Sequence, residues 1–308
     1  MPNDGSVLIV GSVALDSLET PYGSAPDALG GSAVYASLAC SLLAPVRLVG
    51  VVGSDYPAEG FELLRSRNID LAGLQVVEGG RTFRWAGRYA GDLGAAETLS
   101  TDLNVFADFS PRLPPGHEAT PYVFLANIQP SLQRQVLEQT TGPRLTMCDT
   151  MNLWLNTMPE QVGDMVGRVD IALMNDAEAR QLTREPHLIA AAEKTLDLGA
   201  RCVVVKKGEH GALVVTEAGC RFLPPFPTTR LVDTTGAGDT FAGGMIGHLA
   251  RTGDLSTENL IRAAGIGAVL ASITVEGLGV TALAHASLEE VQERYHVLGK
   301  CGHIPPLR

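Results

Sequence analysis

Short runs of consecutive apolar residues recur along the chain, and between them lie stretches whose apolar positions return every three or four residues. The runs are VLIV (7–10), VRLVGVVG (46–53), YVFLANI (122–128), RLTMCDT (144–150), DIALMND (170–176) and CVVVKKG (202–208). Runs this continuous predict strands buried on both faces, as in a parallel sheet. GSAVYASLACSLLA (31–44), AEGFELLRSR (58–67), SLQRQVLEQT (131–140) and HLIAAAEKTLDLG (187–199) have helical spacing. Strand alternating with helix predicts βαβ units and an α/β fold, a doubly wound, mostly parallel sheet flanked by helices. GALVVTEAGCRFL (211–223) reads differently, as a hairpin turning at Glu217, Ala218 and Gly219. Beyond residue 240 the chain reads as helix, in TFAGGMIGHLART and TENLIRAAGIGAVLASIT.

One region breaks the alternation. TFRWAGRYAGDLGAAETLSTDLNVF (82–106) combines β-formers, glycine turns and alternating polarity without a helical stripe. With residues of about 12–24 it predicts a small antiparallel β element projecting from the main sheet. Such an appendage serves as a lid over a site, or as an edge through which two copies pair into a homodimer. The chain has no repeats, no low-complexity tract and no long linker, so 1–308 reads as a single domain.

Composition narrows the function classes. The chain has 308 residues, of which 45% are hydrophobic and 19% charged, enough apolar material for a sizeable core. A net charge of −11 argues against nucleic acid or an anionic membrane as partner, since either needs a basic face. Cys40, Cys148, Cys202, Cys220 and Cys301 are scattered and form no C-x-x-C, which argues against a zinc site or a disulfide framework. Met1 leads into the first apolar run without a basic leader, and no apolar run reaches the length of a membrane span. A cytoplasmic location is therefore expected.

In a doubly wound sheet, ligands collect outside the carboxyl ends of the strands. The polar residues predicted there are Asp16, the Gly30-Gly31 pair, Asn127, Asp149, Asn175, Lys206 and Lys207. Turn formation and helix capping are the competing explanation for each Asp and Asn. LVDTTGAGDTFAGG (231–244) is more pointed, because its glycines stand directly ahead of a helix. Helix N-termini offer unpaired N–H groups and partial positive charge, and glycines let an anion come close to them. Asp239 beside such a cradle is either a cap or a base placed to take the proton of a hydroxyl attacking a phosphoryl group. The chain contains neither G-x-x-x-x-G-K-[ST] nor G-x-G-x-x-G, so the turn belongs to no P-loop and no dinucleotide fingerprint.

DTTGAGDTFAGG (233–244) resembles the C-terminal signature of the ribokinase-like, or PfkB, family of carbohydrate and nucleoside kinases. GSVALD (11–16), LGGSAVYAS (29–37), VGVVGSD (49–55), NIDLAGL (68–74), Asn175 to Glu178 as N-x-x-E, and KKGEHGAL (206–213) resemble further family segments in the same order, over nearly the whole chain. The resemblance implies Asp239 as catalytic base and the backbone of Gly236, Ala237 and Gly238 as anion hole. It implies Asp16, Gly30 and Gly31 on the acceptor's hydroxyls, where Asn127 and Asp149 are also expected. Lys207, Gly208 and Gly211 would meet the nucleotide, with Gly265 and Ala268 bordering its adenine. Asn175 and Glu178 would order Mg2+ through water. Asp233, Thr235 and the EGLG loop (276–279) would hold a monovalent cation such as K+.

The implied activity is transfer of the γ-phosphoryl group of Mg-ATP to a hydroxyl of a small unphosphorylated sugar or polyol. A ribonucleoside is the alternative acceptor, and a non-catalytic sugar- or nucleotide-binding protein or a dinucleotide-dependent oxidoreductase are the other classes. Retention of Asp239 with its glycines speaks against the binder, and the missing G-x-G-x-x-G against the oxidoreductase. Arg81, Arg84 and Arg88 on the lid either meet a phosphate or face solvent. Trp85, Tyr89 and Trp154 either pack or stack on a base.

Overall fold

The computed structural model describes residues 5–94 and 96–302. Its main sheet is built from β1 (Val7–Val10), β4 (Val46–Gly53), β5 (Ile69–Val77), β8 (Tyr122–Leu125), β9 (Leu145–Asp149), β10 (Ile171–Asn175), β11 (Cys202–Lys206), β12 (Ala212–Thr216) and β13 (Gly219–Leu223). The nine strands lie in the order β13-β12-β11-β10-β9-β8-β1-β4-β5. From β5 to β11 every pairing is parallel, and β12 and β13 add an antiparallel hairpin at one edge. The hairpin turns where the sequence places it, with Thr216 opposite Gly219.

The apolar runs are continuous because both sheet faces are covered. Val7 and Ile9 of β1 lie in one buried cluster, while Leu8 and Val10 lie in the other, as the two-residue period of a strand requires. The first cluster takes in α1 (Ser32–Ser41), α8 (Ala237–Thr252) and α9 (Thr257–Thr274), with α10 (Thr281–His285) and α11 (Leu288–Cys301) beyond them. The second involves α3 (Pro130–Gln139), α5 (Pro159–Val166), α6 (Asp176–Thr183) and α7 (Leu188–Leu196). The remaining helices are α2 (Ala58–Ser66) and α4 (Asn152–Thr157). Helix α1 is buried from Ser32 to Cys40, which is why its sequence is apolar or small all round and carries no amphipathic stripe.

A second sheet of four strands stands apart, made of β2 (Ala14–Thr20), β3 (Gly23–Gly30), β6 (Phe83–Tyr89) and β7 (Ala96–Asp102) in the order β3-β2-β6-β7. Its two outer pairings are antiparallel, whereas the central β2–β6 pairing is parallel, so the small sheet is mixed. The chain enters it straight from β1 and returns from β3 into α1.

Strand order reverses between β8 and β1, since β4 and β5 continue to one side and β8 to β11 to the other. The crevice over such a reversal is where open α/β sheets bind ligands. A serine clamp fixes it here. The N–H of Ser12, past β1, donates to Ser32 Oγ at 3.1 Å, and the N–H of Ser32 returns a bond to Ser12 Oγ at 3.0 Å. Ser32 Oγ also donates to the carbonyl of Asn127, past β8, at 3.1 Å.

Candidate active site

Asp16 sits on β2 just above this crevice, only 5% exposed. Pairing between β2 and β3 slips between Asp16 and Leu18, and Asp27 on the facing strand takes φ 49. Such a bulge re-aims the side chains beside it. Gly30 makes room for the carboxylate, since a Cβ there would fall 1.9 Å from Asp16 Oδ2. Burial pushes the Asp16 carboxyl up to about 7, with Asp239 and Asp233 adding to the shift and the N–H of Gly31 opposing it. Asn127, at the neighbouring strand end, accepts a bond from Trp154 Nε1 at 2.9 Å, so Trp154 holds this amide.

The glycine turn enters from α8. Gly236 is the N-cap at φ 72, and a Cβ on it would lie 2.4 Å from the ring of Tyr35, which floors the turn. The helix has no side-chain cap. Among the described residues, the N–H of Gly238 finds no backbone acceptor, while those of Ala237 and Thr240 turn back to Thr234 and Gly236. An open donor at a helix N-terminus is what an anion would take. Asp239 stands in the first turn of α8, past the cap, so capping does not account for it. Burial, then the nearby Asp149 carboxylate, raises its pKa to about 7, while Lys206 and its own N–H pull the other way.

Lys206 is named from the sequence as a strand-end residue beside Lys207, but without a role of its own. It ends β11 directly beside Asn175 of β10, forms a close ion pair with Asp149, and reaches the glycine turn. A Cβ on Gly238 would be 3.0 Å from its Nζ. Burial disfavours its charge, but Asp149, Glu178 and Asp239 more than offset this and keep the ammonium protonated. Asp149 therefore faces Lys206 on the turn side of the crevice, where an acceptor-binding carboxylate was expected. The clue in the sequence was position, since Lys206 directly follows the apolar residues Cys202 to Val205.

Asn175 and Glu178 interlock at the start of α6. Asn175 Oδ1 accepts from the N–H of Glu178 at 2.8 Å, and the Glu178 carboxylate accepts from the N–H and Nδ2 of Asn175, both at 2.7 Å. Glu178 is 6% exposed, and its pKa is raised to about 7, chiefly by burial. Asp233 is 1% exposed and joins two segments, accepting from the N–H of Thr235 and of Gly279, each at 2.9 Å. Asp233, Thr235 and the 276–279 loop are thus brought together.

Lys207 opens the short turn to Gly211, where its N–H donates to the Gly211 carbonyl at 2.8 Å, and Gly208 and Gly211 have φ of 53 and 81. Gly265 and Ala268 lie well down α9 from Thr274, which bonds Thr240 at 3.0 Å. A side chain on Gly265 would meet Tyr295 of α11 at 2.9 Å, so packing between helices explains that glycine.

The hydroxyl of Tyr35 is a second feature that the sequence reading missed. The residue is 1% exposed, its Oη has no partner among the described residues, and its titration is pushed well above the ordinary tyrosine value by burial, then by Asp16, Asp233 and Asp239. On the small sheet, Arg84 is paired with Asp27 and Asp55, and Arg88 with Glu19 and Glu97, while Arg81 is exposed. Trp85 lies over Gly87 of its own strand and bonds Thr98 of the next, so it packs within the sheet. Among the described residues, no group of three or more His, Cys, Asp or Glu is arranged to hold a metal directly, and no helix is long and apolar enough to cross a membrane.

Comparison with known proteins bears on family and fold. The family model described as "pfkB family carbohydrate kinase" matches residues 27–286. The chain is similar to a cytidine kinase of Thermococcus kodakarensis, with 29% identity over 251 residues, covering 80% of this chain and 88% of that one. Among solved structures it is similar to the nucleoside kinase of Methanocaldococcus jannaschii, with TM-score 0.78 and 20% identity over 95% of this chain and 98% of that one. It is also similar to an E. coli ribokinase II candidate in complex with ATP and Mg2+, with TM-score 0.78 and 17% identity over 95% and 99% of the two chains.

Proposed function

The chain belongs to the pfkB family of carbohydrate kinases, and from that premise we propose that its crevice moves the γ-phosphoryl group of ATP to a hydroxyl of an unphosphorylated sugar or ribonucleoside. An ATP-dependent phosphotransferase with an alcohol acceptor, a sugar or a nucleoside, is what the family and its named relatives support. We infer the roles of individual residues from the geometry of the crevice. The observation that carries them is the grouping of Asp239, the open N–H of Gly238 and the Lys206 ammonium at one helix N-terminus.

Asp239 takes the proton from the attacking hydroxyl. The N–H groups of the 236–238 turn and Lys206 balance the charge that spreads over the transferring group. Asp16 accepts hydrogen bonds from the acceptor's hydroxyls, with Gly30 and Gly31 shaping that wall and Asn127 beside it. A carboxylate only accepts, so the oxygens it holds still need a donor, and the unpartnered Tyr35 hydroxyl can supply one. The 207–211 turn, with Gly208 and Gly211, lies toward the nucleotide, and Gly265 and Ala268 stand further along that side.

The donor set fits a divalent cation. Among the described residues, the carboxyl groups of Asp16, Asp149, Glu178, Asp233 and Asp239 are gathered in this crevice with the Lys206 ammonium opposing them, and buried carboxylates in excess favour a cation. Asn175 and Glu178 would hold Mg2+ through water, and the ion, bound with ATP, would neutralise phosphate charge. Asp233 is buried and, among the described residues, its carboxylate is bonded by backbone N–H groups, which fits a monovalent cation such as K+ between Thr235 and the 276–279 loop.

An unphosphorylated acceptor is favoured because Arg84 and Arg88 are already committed to carboxylates. Likeness to a cytidine kinase over 80% of the chain favours a ribonucleoside within that class. The small sheet is the lid over the acceptor. Its edge strand β7 is exposed along almost its whole length, which supports pairing with a second copy. Dependence on ATP supports a cytoplasmic location. The reading is tested by ADP release from Mg-ATP across ribose, fructose, inositol, cytidine, adenosine and inosine. At least one should stimulate release strongly, and indifference to all of them would refute it.

Two further outcomes follow from the geometry. Gly238→Val places a branched side chain against Lys206 and over the open N–H, so kcat should fall by about 10^2 or more while the KM for ATP changes less. Unchanged turnover at saturation would remove the turn from the transition state. The kcat/KM of the free enzyme should rise with pH through a midpoint near 7, because Asp239 and Asp16 are raised to about 7 and work as carboxylates. Below that pH a protonated Asp239 has no room for the hydroxyl's proton. A profile flat from pH 5.5 to 8.5 (a range chosen to span about 1.5 units either side of 7) would contradict the assignment.

A further inference from the structure

The small sheet does more than cover the crevice. At the end of β6, Tyr89 Oη and Thr235 Oγ1 share a hydrogen bond of 2.9 Å. Thr234 Oγ1 donates to the carbonyl of Leu93 at 2.9 Å. Tyr89 is 9% exposed and Leu93 2%, so these two residues are buried where the hairpin meets this turn, although β7 and the neighbouring Ala90, Gly91, Asp92 and Gly94 are exposed. Leu93 takes φ 51, a left-handed conformation that a leucine keeps only where its surroundings hold it. The two threonines directly precede Gly236, the N-cap of α8.

The other half of the small sheet touches a second segment. A side chain on Gly23 would meet Leu278 at 3.3 Å, and one on Gly279 would meet Ala28 at 3.3 Å. Asp233 bonds the N–H groups of both Thr235 and Gly279. The segments that the sheet touches at its two ends are therefore tied to one carboxylate.

We propose that Tyr89 is a positioning residue that acts through Thr235, with the Leu93–Thr234 bond beside it, so that the docked lid sets the glycine turn in its phosphoryl-receiving position. This rests on the kinase reading above. The chemical reason is that a turn completed only under a closed lid favours transfer to the enclosed hydroxyl over transfer to water. Tyr89 touches no reacting atom in this scheme, and its whole effect passes through the turn.

The test is a double-mutant cycle on kcat, with Tyr89→Phe, Thr235→Val and the double variant, using the best acceptor from the panel above. Tyr89→Phe keeps the ring and removes one hydrogen bond. It should lower kcat about 5- to 10-fold, leave the KM for ATP within about twofold, and lower the melting temperature by no more than about 2–4 °C, too little to account for that loss. In the Thr235→Val background the same change should cost nothing further. Thr234→Val, which breaks the other bond, should give a similar loss and serves where Thr235→Val folds poorly. Wild-type kcat in Tyr89→Phe, a full additional loss in the double variant, or a kcat loss that merely tracks a lower melting temperature would each overturn the latch. A wild type inert toward every acceptor would instead overturn the kinase reading, and the latch with it.

Discussion

Asp239→Asn should lower kcat by about 10^2- to 10^4-fold, the range that a lost general base commands. Asparagine keeps the shape of the side chain at the start of α8 and removes only its ability to take a proton. The turn should survive, since Gly236 and the Tyr35 ring beneath it set its geometry and no side chain caps the helix. Lys206 should stay charged, because Asp149 and Glu178 remain beside it. ATP binding should therefore change little, and the loss should appear in kcat. The rise of activity through pH 7 should lose its Asp239 component, leaving that of Asp16. A variant with near-wild-type turnover would reduce Asp239 to a helix-terminus carboxylate.

Asp16→Ala should have the next largest effect, on the acceptor. A charged acceptor of hydrogen bonds to two neighbouring hydroxyls in a closed site contributes about 2–4 kcal/mol, or roughly 30- to 1000-fold in kcat/KM. The fold is built around this carboxylate, with the bulge in β2–β3 beside it and Gly30 vacating the space it occupies. Alanine fits without strain, so the loss should not come from misfolding. The KM for ATP should hardly move, because in the proposed reading the nucleotide lies toward the 207–211 turn. Acceptors lacking one of the paired hydroxyls should be poor for the wild type and lose less on substitution. An equal loss for deoxy and hydroxylated acceptors would place Asp16 outside the acceptor site.

The main sheet was legible because parallel strands covered on both faces are written as unbroken apolar runs. Strand β5 was not, since it lies at an edge with Val76 and Val77 exposed and its polarity follows no clean rule. Nor was β3, whose GSAPDALG holds residues that strands avoid; it is a strand because β2 gives it a partner, and its proline is tolerated at a sheet edge. The parallel β2–β6 pairing joins distant segments, and no local pattern announces such a contact. In the crevice, the glycines of 236–238 marked the start of α8 in the sequence, and the anion-receiving role of that turn is the proposed one. The choice between Lys206 and Lys207 depends on which way the last strand residue faces, and the partner of Asp149 depends on the register between strands. Tyr35 reads in sequence as one more apolar position of a buried helix, and its hydroxyl gains meaning only from the carboxylates that the fold gathers round it.

The central claim is that this crevice joins the γ-phosphoryl group of ATP to an alcohol, and phosphorus NMR of the product reads that bond directly. Incubation with Mg-ATP and each acceptor of the panel should give, for at least one, a new phosphomonoester resonance that grows in step with ADP. That signal should be absent for Asp239→Asn over the same time. ADP accompanied only by inorganic phosphate with every acceptor, or an ester formed equally well by Asp239→Asn, would contradict the account.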